Sequence, residues 1–168
     1  MNSSKSVNFF ERLSGLKLLS LDTDGVLTDG GLYYTDDGTE IRKFNVKDGL
    51  GIQRVQQAGV MVAIITASSS PSITHRGNKL GVDYVFLDCK QKLDVLLQIC
   101  DETGIDLEQV GHVGDDLNDI PVMEAVGCPM TVADAEMEVV STAIFVTKKK
   151  GGEGAVREIC NLIVAAKE

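Results

Sequence analysis

Carboxylates recur in this sequence where short apolar runs stop. Residues 16–21 run into Asp22 and Asp24, and residues 110–113 lead through Gly114 to Asp115, Asp116 and Asp119. Thr66 follows the apolar run 60–65, and Lys92 comes soon after 84–87, with Lys90 as a near rival. Carboxylates gathered in one place repel each other and stay partly protonated unless a cation sits among them. An all-oxygen ligand set suits a hard divalent ion. Mg²⁺ fits best, because it uses few carboxylates and fills its other positions with water or phosphate oxygens. A hydroxyl and an ammonium in the same pocket suit a phosphoryl group whose charge must be neutralised. Aspartate is also a covalent acceptor of phosphate, which splits hydrolysis into two easier displacements.

These residues are far apart in sequence, so the fold must bring them together. Runs at 16–21, 60–65, 84–87, 110–113, 130–132 and 144–146 read as strands. The run Val60-Met61-Val62-Ala63-Ile64-Ile65 is unbroken, as expected of a central parallel strand covered on both faces. Helices are expected at about 48–58, at 71–80 with Ser70 as N-cap and Pro71 at the first position, at 92–103, and at 155–167. Alternating strands and helices imply right-handed crossovers and an α/β fold with a doubly wound, Rossmann-like parallel sheet. In such a sheet ligands bind beyond the carboxyl ends of the strands, which is where the polar residues above fall. Residues 32–35 and 40–44 flank Asp36-Asp37-Gly38, a turn signal, so a β-hairpin at about 31–45 projects after the first strand. No repeat or linker divides the chain, and 1–168 reads as one domain with residues 1–15 as an N-terminal extension.

The 168-residue length is enough for a full core without staples. A net charge of -9 gives no broad basic field, which argues against nucleic acid or an anionic membrane as partner. The N-terminus lacks an apolar signal segment, and no apolar run reaches membrane-spanning length. The four cysteines, Cys89, Cys100, Cys128 and Cys160, are scattered and read as buried residues of a reducing compartment. A cytoplasmic location is expected.

The motifs carry a resemblance. Asp22-Thr23-Asp24-Gly25-Val26-Leu27-Thr28-Asp29, Thr66, Lys92 and Gly114-Asp115-Asp116-Leu117-Asn118-Asp119 resemble, in order, the four motifs of the haloacid dehalogenase (HAD) superfamily of phosphatases. Phe44-Asn45-Val46-Lys47-Asp48-Gly49-Leu50-Gly51, Val132-Ala133-Asp134-Ala135 and Gly151-Gly152-Glu153-Gly154-Ala155-Val156-Arg157-Glu158 are similar to the 3-deoxy-D-manno-octulosonate 8-phosphate (KDO 8-phosphate) phosphatase family. The resemblance runs from Leu16 to the C-terminus. It implies an HAD-like fold without a large cap domain and a Mg²⁺-dependent phosphomonoesterase acting on KDO 8-phosphate. Asp22 would be the nucleophile. Asp24 would transfer protons and bind Mg²⁺ through its backbone carbonyl. Thr66 and Lys92, preferred over Lys90, would hold the phosphoryl group. Asp115 would complete the metal site, with Asp116 and Asp119 in support. The resemblance further implies a homotetramer whose hairpins meet at the centre, the C-terminal segment of one subunit closing a neighbour's site.

The chain departs from the family at three positions. The family usually continues Gly-Arg after Thr66, the Arg being associated with the acidic sugar; here Ala67 and Ser68 follow. Arg76 matches another basic position and is the candidate to hold the substrate carboxylate, while Glu153 stands where KDO 8-phosphate enzymes often have Arg. A nine-carbon, neuraminate-type 9-phosphate is therefore the alternative substrate. A receiver domain also gathers acids around Mg²⁺, but there the paired acids follow the first strand, and here Asp115-Asp116 follow the fourth. A catalytically silent oligomerisation module beside a sugar cytidylyltransferase is the other rival, and the intact Asp22, Asp24, Thr66, Lys92 and Asp115 argue against it. Asp116 doubles as a helix N-cap candidate, His112 as a satisfied core or sheet-edge histidine, His75 as helix surface, and Lys148-Lys149-Lys150 as a solvated loop that can steer an anion.

Overall fold

The structure, a computed structural model, describes residues 8–168. The chain runs α1 (Phe9–Gly15), β1 (Leu18–Leu21), β2 (Tyr33–Tyr34), β3 (Glu40–Ile41), α2 (Val46–Gln57), β4 (Met61–Ile65), α3 (Pro71–Leu80) and β5 (Tyr84–Phe86). It continues with α4 (Lys92–Thr103), β6 (Val110–Gly114), α5 (Ile120–Ala125), β7 (Cys128–Thr131), α6 (Met137–Thr142), β8 (Phe145–Val146) and α7 (Ala155–Lys167). Six strands form one parallel sheet in the order β5-β4-β1-β6-β7-β8. From β1 the chain therefore winds one way to β4 and β5, and the other way to β6, β7 and β8. That reversal leaves a crevice at the carboxyl end of β1.

Register makes the crevice useful. Leu21 lies opposite Ile64 on one side and Val113 on the other. The three central strands thus end almost level, and Asp22, Thr66 and Asp115 emerge side by side. Alternate side chains of these strands pack on opposite faces. Leu19, Leu21, Val62 and Ile64 meet Ile52, Val55, Ile159 and Ile163 of α2 and α7. Leu18, Ala63 and Ile65 meet Leu96, Ile99 and Val122 of α4 and α5. Burial on both faces is why β1 and β4 read as continuous apolar runs. At Gly51 an added Cβ would lie 3.1 Å from both the Arg157 Cα and the Cys160 Cβ, so glycine sets how closely α2 and α7 approach.

The hairpin is present, but only Tyr33–Tyr34 and Glu40–Ile41 pair, around a turn with Gly38 at φ 83°. Tyr33 and Tyr34 are 57% and 63% exposed. Residues 8–15 of the N-terminal extension pack on the domain: Asn8 and Glu11 form a capping box, Leu13 is buried, and Phe9 stacks on Phe145 at 5.0 Å between centroids. Residues 1–7 lie outside the described residues. Ser70 occupies the N-cap of α3 as expected, but its hydroxyl bonds to Ser72 rather than to the helix backbone.

Candidate active site

The floor of the crevice is a chain of buried charge. Asp22, 6% exposed, sits just beyond β1 with its N–H donating to the Val113 carbonyl at 3.0 Å. Its Oδ1 accepts the Thr23 N–H at 2.6 Å, and its Oδ2 pairs with the Lys92 ammonium at 2.8 Å. Lys92, at the start of α4 and almost wholly buried, also meets Asp119 Oδ1 at 2.7 Å. Asp119 in turn bonds His112 Nε2 at 3.1 Å, and His112 Nδ1 meets Ser20 Oγ at 3.1 Å. The other Asp119 oxygen accepts the backbone N–H groups of Asp115 and Asp116. Both Asp119 oxygens are thus engaged within the protein.

Asp115 differs. Its Oδ1 is buried without a hydrogen-bond partner, and oxygens of Asp22, Asp115 and Asp119 lie within 4.8 Å of one another. Burial, then the charges of Asp22 and Asp119, push the Asp115 carboxyl up to about 8. Burial likewise raises Asp22, helped by Asp119 and opposed by Lys92. Burial also disfavours the charged form of Asp119, but bonding and charge from His112 and Lys92 outweigh it and hold that carboxyl well below the usual range. Burial would lower Lys92, yet Asp22 and Asp119 keep it firmly protonated. An excess of carboxylate with one orphaned buried oxygen fits a hard divalent cation.

Glycines let the carboxylates close in. A Cβ on Gly25, whose φ is +83°, would fall 1.8 Å from Asp115 Oδ2, and one on Gly114 would fall 2.3 Å from Asp119 Cβ. The turn after β1 folds back onto the Thr23 carbonyl, which accepts the N–H groups of Val26, Leu27 and Thr28. The Gly151-Gly152 loop packs on this turn: Gly152 N–H donates to the Val26 carbonyl, and Gly151 N–H donates to Asp134. Asp48, buried in α2, accepts the Arg157 N–H at 2.8 Å in the first turn of α7. The family-like segments outside the cavity thus brace its walls.

A cavity of about 360 Å³ opens above, lined by Asp22, Asp24, Gly25, Gly30, Thr66, Ala67, Ser68, Asp115, Asp116 and Asn118. The expected Asp22, Asp24, Thr66, Asp115 and Asp116 therefore meet, with Lys92 and Asp119 directly beneath. Asp116 is exposed and caps the turn at Leu117 with a 2.7 Å bond, so capping accounts for its side chain. The structure does not bring Arg76 to the cavity. Its guanidinium donates to the Asn45 carbonyl at 3.0 Å, lies 5.8 Å over the Phe44 ring and crowds Gly49. Lys148 and Lys149 line a different groove beside Phe145 and Leu162. His75 is exposed. His112 is the satisfied core histidine expected from its apolar run, although what it satisfies is Asp119.

One residue gave no sequence signal. Arg42, just after β3, reaches Asp24 through Nε at 2.8 Å and Nη2 at 3.0 Å, and donates to Ser68 Oγ at 2.9 Å. Glu40 completes its pairing. A lone Arg in a short hairpin has no periodicity or spacing to mark it.

Such an arrangement can present a carboxylate nucleophile, a cation and phosphate-binding groups to one phosphoryl group. Known proteins agree. A family model of haloacid dehalogenase-like hydrolases matches residues 88–159. The 3-deoxy-D-manno-octulosonate 8-phosphate phosphatase KdsC of Escherichia coli K12 is 39% identical over 161 residues, covering 96% of this chain and 86% of that protein. A probable YrbI family phosphatase from Pseudomonas syringae superposes with a TM-score of 0.93 at 42% identity, over 95% of this chain and 90% of its own. The Moraxella catarrhalis 3-deoxy-D-manno-octulosonate 8-phosphate phosphatase, solved with magnesium, phosphate and KDO, gives 0.93 at 35% identity, over 95% and 91%. The chain belongs to the 3-deoxy-D-manno-octulosonate 8-phosphate phosphatase family of haloacid dehalogenase-like hydrolases.

Proposed function

We propose that this chain hydrolyses an acidic sugar phosphate, KDO 8-phosphate, to KDO and inorganic phosphate. The supporting observation is the convergence of Asp22, Asp24, Thr66 and Asp115 on one cavity, with the Lys92 ammonium against Asp22. An Asp22 oxygen attacks phosphorus, and the bond to the sugar oxygen breaks as Asp24 gives that oxygen a proton. Asp24 then takes a proton from water, whose oxygen attacks the aspartyl-phosphate and releases Asp22 and phosphate. Thr66 donates to a phosphoryl oxygen, and Lys92 orients Asp22 and favours its ionised form. Mg²⁺ held by Asp22, Asp115 and the Asp24 backbone carbonyl would neutralise charge on the phosphoryl oxygens. Proton transfer by a positioned acid is commonly worth about 10²–10⁴-fold.

The test is phosphate release from KDO 8-phosphate, a neuraminate-type 9-phosphate and neutral hexose phosphates, with Mg²⁺ or with a chelator. Mg²⁺-dependent turnover that prefers KDO 8-phosphate and vanishes in Asp22→Asn is expected. Asp24→Asn should slow both formation and hydrolysis of the aspartyl-phosphate. A well-folded Asp22→Asn that still turns over sinks the covalent route, and a preference for neutral sugars sinks the acid-sugar reading. A preference for the 9-phosphate makes the nine-carbon acid the substrate.

We also read 1–168 as a single domain that works as a homotetramer. The exposed Tyr33, Tyr34 and Ile41 of the hairpin, with Val46 and Leu50 beside it, support association through that face. No helix among the described residues is long and apolar enough to cross a membrane. The four buried free thiols support a reducing, cytoplasmic location.

A further inference from the structure

Arg42 is 3% exposed, yet its burial is polar on three sides. Nε and Nη2 grip both oxygens of Asp24 at 2.8 and 3.0 Å, Nη2 also reaches Ser68 at 2.9 Å, and Nη1 pairs with Glu40. Bidentate guanidinium-carboxylate pairs are among the stronger protein hydrogen bonds. Both oxygens that Asp24 would use on a leaving group or a water are therefore engaged. Another anion that competes for the guanidinium would free Asp24 for that work. The phosphoryl group is already spoken for, because on the reading above Asp22 attacks it and Thr66 donates to it. A sugar carboxylate faces the converse problem. The described residues lining the cavity include no Lys or Arg, and Arg76 is held by Asn45 and Phe44. Asp24 and Ser68, the groups that Arg42 holds, both line the cavity, so its guanidinium stands just behind that wall.

We propose that Arg42 changes partners during turnover, leaving Asp24 for the carboxylate of the bound acid sugar phosphate, so that recognising the substrate releases Asp24 for proton transfer. The exchange breaks no covalent bond and moves no proton; one carboxylate replaces another on the same fork. Ser68 keeps a second acceptor on the path between the two. A phosphate ester without a second anion leaves the clamp shut, which makes the device a selector as well as a binding group. The inference rests on the acid sugar phosphate reading above.

The experiment compares kcat/KM on KDO 8-phosphate and on glucose 6-phosphate for the full chain, R42K and R42M, with folding followed by circular dichroism. In R42M the ratio of the two kcat/KM values should fall by about 10²-fold, the scale for truncating one partner of a buried charge pair. R42K keeps the charge but not the fork, and its ratio should fall by about 10-fold. It decides the matter if R42M fails to fold. A residue that only braces the hairpin or orients Asp24 lowers both substrates by the same factor, and an unchanged ratio overturns the proposal alone. A wild-type chain that does not prefer the acid sugar overturns the substrate reading, and this proposal with it.

Discussion

Asp115 is held in a place that its own charge opposes. In the metal-free chain, burial and the charges of Asp22 and Asp119 move its carboxyl from 3.8 up to about 8. At neutral pH the folded chain therefore carries it protonated while the unfolded chain carries it ionised. The folded value is the raised one, so its contribution to stability is complete below about pH 4 and is lost as pH rises toward about 8. About three pH units of that loss have accrued by neutrality, at about 1.4 kcal/mol each, or about 4 kcal/mol. Water reaching the partly exposed side chain trims this to about 2–4 kcal/mol. Asp115→Asn keeps the shape of the protonated acid and cannot ionise. In a chelator, urea unfolding should show the variant more stable than wild type by that amount at about pH 7, with the difference shrinking toward about pH 4. Mg²⁺ should reverse the order, raising the wild-type midpoint and leaving the variant unmoved, and the variant should lose turnover. A variant less stable than wild type in chelator at neutral pH refutes the electrostatic account of the site.

Gly25→Ala places a methyl 1.8 Å from Asp115 Oδ2 at a φ of +83°, so the carboxylate must retreat. Mg²⁺ activation measured by phosphate release should shift to about 10–100-fold higher metal concentration, the scale for disturbed ligand orientation. Lys92→Met leaves Asp22 and Asp119 buried without their shared ammonium and should cost about 3–5 kcal/mol in urea unfolding at neutral pH. Adding Asp119→Asn to that variant should restore part of the loss without restoring turnover. On the tetramer proposed above, Ile41→Asp puts a charge on the exposed hairpin face and should reduce the mass seen by sedimentation to that of smaller species.

The strands were legible where both faces are buried, because only then does the apolar run go unbroken. Residues 60–65 show this, and β4 differs by a single residue. At β7 the expected 130–132 became Cys128–Thr131, since Pro129 sits mid-strand with no N–H and disguises it. Short α6 buries only Val139 and has no side-chain cap bond, so no periodicity marks it. The signal for α1 existed: Asn8 and Glu11 have capping-box spacing around the amphipathic start at Phe9, Phe10 and Leu13.

The acids of the site were legible because a doubly wound sheet fixes where strand ends go, and short side chains there cannot travel far. Basic side chains are another matter. Arg76 and Arg42 each carry a long flexible stem, and each is placed by what captures its guanidinium. The Asn45 carbonyl and the Phe44 ring take Arg76, while Asp24 takes Arg42. Arg76 was the candidate because it matches a basic position of the family. The physical question starts from the uncompensated charge. Lys92 is shared by Asp22 and Asp119, which leaves Asp24 to attract a guanidinium that the fold lets approach. The hairpin leaves the carboxyl end of β1 and returns past it, so its inner basic residue, Arg42, is delivered to Asp24 by topology. A hairpin following a catalytic strand is therefore where a cation missing from the motifs should be sought.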